Sequence, residues 1–307
     1  MGNMTNILTL SKRFNDLANE LAKELHFAAF NSAPKTSLEL YNSDFYFERN
    51  KRELRPYPVE LDVTYAPGCI VPIEEGRLVA SIDSTCIPLG YSRAGIVYAG
   101  RLSVVFSKSG HVEFYSRIGP IFSCQDISGQ SSDQVESAIR RQLEEKAANT
   151  IINSGFDGIL LLDGSLKNIE SMDLKGYECS AVVGISKTSF LNFSDHENAL
   201  YSVKYPAFSF VEEGRVSTLL AKLTADGIVF RIDVFSEREP REILGYILYN
   251  DAFYAGYPES LRLAHHLSIF NRAETIALQA VVKKDLKVRT VPSFEIRKVA
   301  LGTFRRG

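Results

Sequence analysis

Two aspartates, each at the end of an apolar run, are the residues from which chemistry can most readily be argued. Residues 78–82 precede Asp83, and residues 158–162 precede Asp163. Both runs are rich in the aliphatic side chains that are typical of buried strands. A carboxylate buried at a strand end costs free energy unless something pairs with it. Two such carboxylates could share a divalent metal ion.

Further ligands would have to come from elements beside these strands. A helix is predicted for residues 133–153, and at about 100° per residue Glu144 falls at the border of its buried face. Glu145 points away from that face, and Glu136 lies within it but near the helix start. A metal-binding carboxylate needs a half-buried position, so Glu144 is preferred, and a solvated glutamate is the open alternative.

Two histidines and a lysine are further candidates, each with a plain structural alternative. His265 and His266 lie on a long predicted helix, where a histidine beside apolar neighbours is often structural rather than a ligand. Lys187 ends a predicted buried strand. It could hold a phosphate or neutralise charge, or it could form a salt bridge to a structural carboxylate.

The chemistry that these residues suggest is phosphodiester cleavage. Hard oxygen ligands with open coordination positions suit magnesium or manganese. Two such ions roughly 3.5–4 Å apart would activate a water and stabilise the leaving oxygen. The chain has no GxSxG elbow, no GxxxxGK(S/T) or GxGxxG loop and no HExxH motif, which disfavours serine hydrolases, nucleotide-binding loops of those types and zincins.

The predicted elements give an order that would bring the two aspartates together. Three antiparallel strands precede the helix, a parallel strand follows it, and further strands and C-terminal helices close the chain. This is the ribonuclease-H-like order, an α/β fold with a mixed sheet flanked by helices. Its first and fourth strands are sheet neighbours, which would place Asp83 beside Asp163. The predicted strands are 78–83, 95–106, 111–118, 158–163, 180–188, 216–223, 227–235 and 288–291, and the predicted C-terminal helices are 241–255 and 258–284.

The first quarter of the chain is predicted to differ from the rest. Residues 5–30 show helical apolar spacing, for packing on the core or on a partner. Residues 31–76 are polar and proline-bearing, with one strand predicted near 59–63. The predicted division is therefore 1–76, an N-terminal helix with an irregular extension, and 77–307, a ribonuclease-H-like domain.

Composition sets the broad class of protein. The chain is 45% hydrophobic and 23% charged, which is enough apolar content for a full core. Its net charge of −2 gives no global sign of nucleic-acid binding. Its four separated cysteines favour buried free thiols over a zinc site or disulfides. No apolar run approaches the ~20 residues of a membrane span, and the N-terminus lacks a signal-peptide core. A cytoplasmic protein is expected.

Five short motifs, in order along the chain, resemble those of the NurA nucleases. They are Asp83-Ser-Thr, Leu162-Asp163-Gly164-Ser165-Leu166, Val183-Gly184-Ile-Ser186-Lys187-Thr188, Arg231-Ile-Asp233-Val and Tyr257-Pro258-x-x-Leu261-x-x-Ala264-His265. The resemblance covers residues 78–272. It departs from the family pattern at Ser84, where glycine often follows the aspartate.

This resemblance implies a manganese-dependent nuclease, with magnesium as an alternative ion, that cuts single-stranded DNA and degrades strands from the 5′ end. It implies resection of DNA ends as a homodimer together with a HerA-type hexameric ATPase. Asp83, Asp163 and His265 would be metal ligands, Glu144 the fourth, and Lys187 would steady the phosphate.

Two other functions remain open from the sequence. The chain could be a catalytically silent, nuclease-like interaction subunit of a DNA translocase, as the amphipathic N-terminal helix suggests. An actin-like ATP-handling enzyme would also place aspartates at sheet ends, but its glycine-rich phosphate loops are missing after Asp83.

Overall fold

A computed structural model describes the chain in several segments: residues 13, 16–17, 66–92, 94–125, 131–166, 180–186, 194–285 and 289–290. Of the predicted N-terminal helix, only Arg13, Asp16 and Leu17 are described; they are helical, and Leu17 is buried in a core. The strand predicted at 59–63, Lys187, Cys179 and the basic residues of the C-terminal tail lie outside the described residues.

A mixed β-sheet organises the described part of the chain. Across the sheet the strand order is β1-β7-β8-β9-β6-β5-β2-β3-β4, with β12 paired to β2, while β10 and β11 pair with each other. The strands are β1 (Gly68–Cys69), β2 (Val79–Ser92), β3 (Gly95–Lys108), β4 (His111–Gln125), β5 (Ile159–Asp163), β6 (Ala181–Ser186), β7 (Ala207–Glu212), β8 (Ser217–Lys222), β9 (Val229–Phe235), β10 (Phe253–Tyr254), β11 (Tyr257–Pro258) and β12 (Arg289–Thr290).

The predicted neighbourhood of the first and fourth long strands is confirmed. Strands β2 and β5 run parallel, with Ile82 opposite Leu162 at the last pair of their ladder. The next residue along each strand is the aspartate, Asp83 on β2 and Asp163 on β5. Because partners in register project to the same face of a sheet, the two carboxylates lie side by side. The α/β ribonuclease-H-like architecture is likewise as predicted.

Strand β5 stops at Asp163, whereas β2 continues to Ser92. On the side that β5 leaves, β2 next meets a strand at Gly90 and Tyr91, which pair with β12. Within the described residues, the part of β2 from Asp83 to Leu89 therefore has a ladder partner on the β3 side alone. The sheet has a step at this point, and helices on its two faces can approach each other around it.

Strands β2, β3 and β4 are longer than predicted. We expected β4 to end at residue 118 and a loop to begin at Gly119, but the strand continues to Gln125 through Gly119 and Pro120. Strand β4 lies at the edge of the sheet, where one side needs no partner and proline is tolerated. Similarly, β2 continues through Pro88, at which the pairing with β3 shifts register. Proline and glycine mark irregularities in these strands rather than their ends.

Five helices are described: α1 (Ser132–Ile152), α2 (Ser194–Ser202), α3 (Pro240–Asn250), α4 (Glu259–Ser268) and α5 (Arg272–Asp285). Helix α1 begins with a capping box, in which the Ser131 hydroxyl accepts from the Gln134 N–H.

The single long helix predicted for 258–284 is wrong, because the chain breaks between α4 and α5. Asn271 accepts from the Glu274 N–H at 2.8 Å, and the Glu274 carboxylate accepts from the Asn271 N–H at 2.9 Å. This reciprocal cap starts a new helix within an apolar pattern that continues across it.

The sheet separates two large cores. Ala80 and Ile82 of β2 belong to the core under α1, whereas Val79 belongs to the core on the opposite face, under α3 and α4. This alternation along β2 decides which helix each of its polar side chains meets.

Three further predictions concern the domain division, the cysteines and membrane-spanning segments. The division of the chain at residue 76 stays a prediction, although β1, which precedes it, pairs with β7. Cys69, Cys86 and Cys124 are free thiols, but only Cys86 is buried, so the expected burial of all the cysteines is wrong for the other two. No described helix has the length and apolar character needed to span a membrane.

Candidate metal centre

The centre of the site is a polar stretch within the otherwise apolar strand β2. Ser81, Asp83 and Thr85 share the face that is covered by α4, while Ser84 points to α1. Ser81 and Ser260 are joined by a hydrogen bond of 2.6 Å between their hydroxyls. A single strand thus offers hydrogen-bonding groups to the helices on both sides of the sheet.

The two oxygens of Asp83 differ in their surroundings. Oδ2 accepts from the Ser268 hydroxyl at 2.8 Å and lies 2.9 Å from His265 Nδ1. Oδ1 is buried and, among the described residues, has no hydrogen-bond partner. The Asp83 side chain is only 1% exposed, so water does not readily satisfy this oxygen. Oδ1 is therefore available to a cation.

Helix α4 carries His265 to this carboxylate and is itself fixed to the sheet. The Ser103 hydroxyl of β3 donates to the Ala264 carbonyl, one residue before the histidine. At the helix start, the buried Asp251 carboxylate accepts from both the backbone N–H and the hydroxyl of Ser260. Because an ionised carboxylate only accepts hydrogen bonds, a hydrogen bond between these two side chains is donated by His265 Nδ1 to Asp83 Oδ2.

His265, rather than its neighbour, faces the site. His265 is half-buried with 42% of its side chain exposed, whereas His266 is exposed to solvent. Of the two adjacent histidines, His265 is therefore the one that can contribute to the site.

Asp163 enters the site from the end of β5. Burial raises the pKa of the Tyr257 hydroxyl, and the negative charges of Asp163 and Asp83 raise it further. After Asp163 the chain turns at Gly164, whose N–H donates to the Ile185 carbonyl at 2.9 Å. A Cβ at position 184 would overlap the Gly164 carbonyl oxygen, so this turn needs glycine at 184.

The turn is anchored from below by Asp233. Its carboxylate accepts from the Ser165 hydroxyl at 2.8 Å and from the Leu166 N–H at 3.0 Å. It also accepts from Arg231 at 3.0 Å, as expected for residues that alternate on one strand face. Asp233 therefore positions the segment that follows Asp163 and does not itself join the cluster.

Asp83, Asp163 and His265 form a cluster suited to a metal ion. One ligand atom of each lies within 4.8 Å of the others. Two carboxylates and an imidazole are the donor types found around divalent ions such as manganese. Asp83 Oδ1, which has no hydrogen-bond partner in the described part of the chain, points to the same conclusion, because a bound cation would satisfy it. The residues present therefore fit a divalent metal ion.

Glu144 lies at the rim of this cluster, as the helix periodicity predicted. Its Oε1 accepts from the Ser84 hydroxyl at 2.6 Å, and its side chain is 19% exposed. The pKa of Glu144 is raised to about 7, chiefly by burial and further by the charges of Asp83 and Asp163. A proton or a metal ion would each stabilise this carboxylate. Its role as a ligand stays a prediction.

Neither alternative glutamate belongs to the cluster of Asp83, Asp163 and His265. Glu145 is exposed, on the far side of α1. Glu136 accepts from the Ser132 hydroxyl at 2.9 Å, near the start of the same helix.

Arg140 and an open groove complete the site. The Arg140 Nε donates to the Ser84 carbonyl at 2.8 Å, and its Nη2 lies 3.7 Å from Asp83 Oδ1 and 3.9 Å from Glu144 Oε1. Arg140 and His265 both line a groove of about 230 Å³ that runs over the outer half of β2. The remaining lining residues are Ser84, Thr85, Cys86, Asp133, Glu136 and Ser137.

Sequence reasoning missed Arg140, Ser84 and Ser268 as members of the site. Two of them lie at helical spacings from predicted residues: Arg140 is one turn before Glu144, and Ser268 is three residues after His265. Those spacings place side chains on one helix face and were a usable signal. Ser84 was visible only as the residue after Asp83. Lys187, the fifth predicted site residue, lies outside the described residues.

Similarity to known proteins is found in the structure of this chain. No protein-family model matches the chain, and no curated protein matches it in sequence. Its structure is similar to the crystal structure of the NurA nuclease from Sulfolobus solfataricus, with a TM-score of 0.52, 17% identity and coverage of 72% of this chain and 88% of that one.

Weaker similarities extend to two further structures. One is a crystal structure of NurA, with a TM-score of 0.48, 10% identity and coverage of 72% of this chain and 92% of that chain. The other is endonuclease V from Bacillus subtilis, with a TM-score of 0.40, 15% identity and coverage of 71% and 86%. The chain has a NurA-like fold.

Proposed function

We propose that this protein is a divalent-metal-dependent DNA nuclease. The observation that carries the proposal is that ligand atoms of Asp83, Asp163 and His265 lie within 4.8 Å of one another. The buried Asp83 Oδ1 has no hydrogen-bond partner among the described residues. A NurA-like fold and the five ordered motifs agree with this activity. Helical elements and strands hold all three side chains, so the cluster is preorganised for binding.

Each residue has a distinct part in the proposed reaction. Asp83 and Asp163 would hold the metal through their carboxylate oxygens. His265 completes the cluster, and Glu144 adds a fourth ligand at its rim. Lys187 steadies the scissile phosphate. When bound, the metal would supply charge neutralisation at the phosphate and make a nearby water more acidic.

The donor set favours manganese over magnesium. Magnesium is usually held by one or two carboxylates together with waters and phosphate oxygens. The imidazole of His265 is a better ligand for transition metals. We therefore propose Mn²⁺ as the physiological ion, with Mg²⁺ as a weaker substitute.

The finer aspects of the proposal rest on the motif resemblance. They are endonuclease activity on single-stranded DNA, 5′ to 3′ exonuclease activity, and resection at double-strand breaks for homologous recombination. The proposed partners are a second copy of this chain and a HerA-type hexameric ATPase. The proposed compartment is the cytoplasm.

Cleavage of labelled single-stranded DNA tests the proposed activity. The wild-type protein should cut the strand with Mn²⁺ and not with EDTA, and Asp83→Ala should abolish cutting. Asp226→Asn, a change at an exposed aspartate in the β8–β9 turn, is the matched control and should cut normally. Equal cleavage by Asp83→Ala would refute the site.

A second measurement separates this function from a silent interaction subunit. Calorimetry with Mn²⁺ should detect binding to the wild-type protein and strongly weakened binding to Asp83→Ala. If the wild-type protein binds no Mn²⁺ and both proteins stimulate a HerA-type ATPase equally, the interaction-subunit function is correct and the nuclease proposal is wrong.

A further inference from the structure

Arg140 is held at one point and leaves much of its hydrogen-bonding capacity unused. Its Nε is fixed by the Ser84 carbonyl at 2.8 Å. Its Nη2 is 3.7 Å from Asp83 Oδ1 and 3.9 Å from Glu144 Oε1, which permits charge attraction but exceeds hydrogen-bond length. Among the described residues, no acceptor forms a hydrogen bond with either terminal nitrogen. The guanidinium therefore lies beside the carboxylates of Asp83 and Glu144 without a hydrogen bond to either.

The carboxylate oxygen that faces Arg140 is the one that a metal ion would use. Asp83 Oδ1 is buried and has no hydrogen-bond partner in the described part of the chain. Two positive charges close to the same oxygen repel each other. Arg140 and a divalent ion would thus compete for Asp83.

The Arg140 side chain can also reach an anion in the adjacent groove. Its side chain is 43% exposed and lines the groove of about 230 Å³ together with His265 and Ser84. A guanidinium presents paired N–H groups that match the oxygens of a phosphate. A rotation about the outer bonds of the side chain would bring these groups to an anion in the groove.

We propose that Arg140 is the counter-ion of the empty cluster and contacts a DNA phosphate once a divalent cation has bound. This inference rests on the proposed nuclease function. Arg140 weakens the binding of the metal alone, and the bound metal frees Arg140 for the DNA. Because such coupling is reciprocal, DNA also strengthens metal binding. The protein then holds its metal most tightly when a substrate strand is present.

Metal binding without DNA gives the first test, by calorimetry with Mn²⁺. Arg140→Gln should tighten binding about fivefold, since one positive charge near the ion is removed in a half-exposed site. Arg140→Lys keeps the charge and should bind Mn²⁺ like the wild-type protein. Arg141→Gln removes a charge from the exposed neighbour on the same helix and should also leave binding unchanged.

The salt dependence of DNA binding gives the second test. The ligand is a phosphorothioate-linked oligothymidylate, measured by anisotropy with Ca²⁺ or with EDTA over a range of salt. With Ca²⁺, Arg140→Gln should lower the slope of log affinity against log salt by about 0.7, the value for one phosphate contact on a single strand. With EDTA, the slopes of the variant and the wild-type protein should coincide.

Several outcomes would overturn the inference. Unchanged or weaker Mn²⁺ binding by Arg140→Gln excludes the counter-ion role, and equal slopes with Ca²⁺ exclude the phosphate contact. If Arg140→Lys binds Mn²⁺ as tightly as Arg140→Gln, the contact with Ser84 matters rather than the charge. Should Arg140→Gln fail to fold, Arg140→Met, which also removes the charge and keeps an unbranched side chain, replaces it in both measurements.

Failure of the proposed function would be recognisable separately. If no variant binds the oligonucleotide, the nuclease proposal fails, and the phosphate contact fails with it. The calorimetric comparison still decides whether Arg140 is the counter-ion of the empty cluster.

Discussion

Asp83 and Asp233 are both buried in the same sheet with 1% of their surface exposed, yet they have opposite surroundings. Asp233 Oδ1 accepts from Thr218 at 2.9 Å and from Arg231 at 3.0 Å, and its Oδ2 accepts from two groups of the turn after β5. Asp83 has one satisfied oxygen and one that no described residue hydrogen-bonds. Burial is common to both, so it does not mark the site of chemistry. Unfilled hydrogen-bonding capacity distinguishes the two.

The largest expected effect concerns activity at Asp83. Asp83→Asn removes the charge that attracts the metal, and DNA cleavage with Mn²⁺ should fall about a thousandfold, since metal assistance supplies several kcal/mol. The free energy of unfolding in EDTA should change by less than about 1 kcal/mol, because the lost charge was poorly paired. Initial cleavage rates and urea unfolding measure the two effects. A large loss of stability would show that Asp83 is structural, like Asp233.

Asp233→Asn should give the reverse pattern. It leaves Arg231 buried beside a neutral amide, so the free energy of unfolding should fall by about 3 kcal/mol. Metal affinity should change less than for Asp83→Asn, since Asp233 acts only through the turn at Gly164. Urea unfolding measures the loss, with the exposed Asp226→Asn as control. Equal stability of these two variants would remove the contrast.

The stability of a Glu144 variant tests whether the charged site lowers the free energy of unfolding when no metal is bound. Its pKa is raised to about 7 in the folded protein. It is therefore protonated on folding between about pH 4.5 and 7, and its charge costs stability fully above pH 7. In EDTA at pH 8, Glu144→Gln should be more stable than the wild-type protein by about 2 kcal/mol.

This gain in Glu144→Gln should disappear as the pH falls to about 4.5, below which both states of the wild-type protein are protonated. Urea unfolding at several pH values measures it. Glu145→Gln, on the exposed side of the helix, should show no such trend. A gain that does not vary with pH would contradict the burial argument.

The smallest effect is expected at Glu274, a carboxylate that is paired but near the surface. Hydrogen bonds from Arg101 chiefly lower its pKa to about 2, and Asn271 and Arg117 contribute. Such a group stabilises the protein above about pH 4.5, and this contribution is lost as the pH falls through about 2.

Because Glu274 is 29% exposed and screened by solvent, Glu274→Gln should cost about 1 kcal/mol at pH 7. The difference from the wild-type protein should close as the pH approaches 2, as measured by thermal unfolding with the exposed Glu113→Gln as control. A larger difference at pH 2 than at pH 7 would reverse the assigned sign.

The pairing of Asp83 with Asp163 could be predicted because it depends on two strong signals, apolar runs and their order along the chain. The choice of Glu144 over Glu145 followed from helix periodicity, which separates adjacent residues by about 100°. Both are properties of secondary structure that local sequence largely determines.

The partners of Asp83 could not be predicted in the same way. Ser268 and His265 share one oxygen of Asp83, and the other oxygen has no donor among the described residues. This arrangement depends on how α4 is docked, which apolar periodicity does not encode. The break between α4 and α5 was missed because apolar spacing continues across Asn271, although its cap with Glu274 was present in the sequence. The extent of β4 was missed because Pro120 ends a central strand but not an edge strand.

The early end of β5 beside the longer β2 has a practical consequence for redesign. Among the described residues, the candidate metal centre is opened by a difference in strand length between β5 and β2. Each residue added to a parallel strand extends it by about 3.3 Å. Inserting two residues after Leu162 would carry the ladder about 7 Å further along β2 and close the pocket with backbone, while both cores stay as they are.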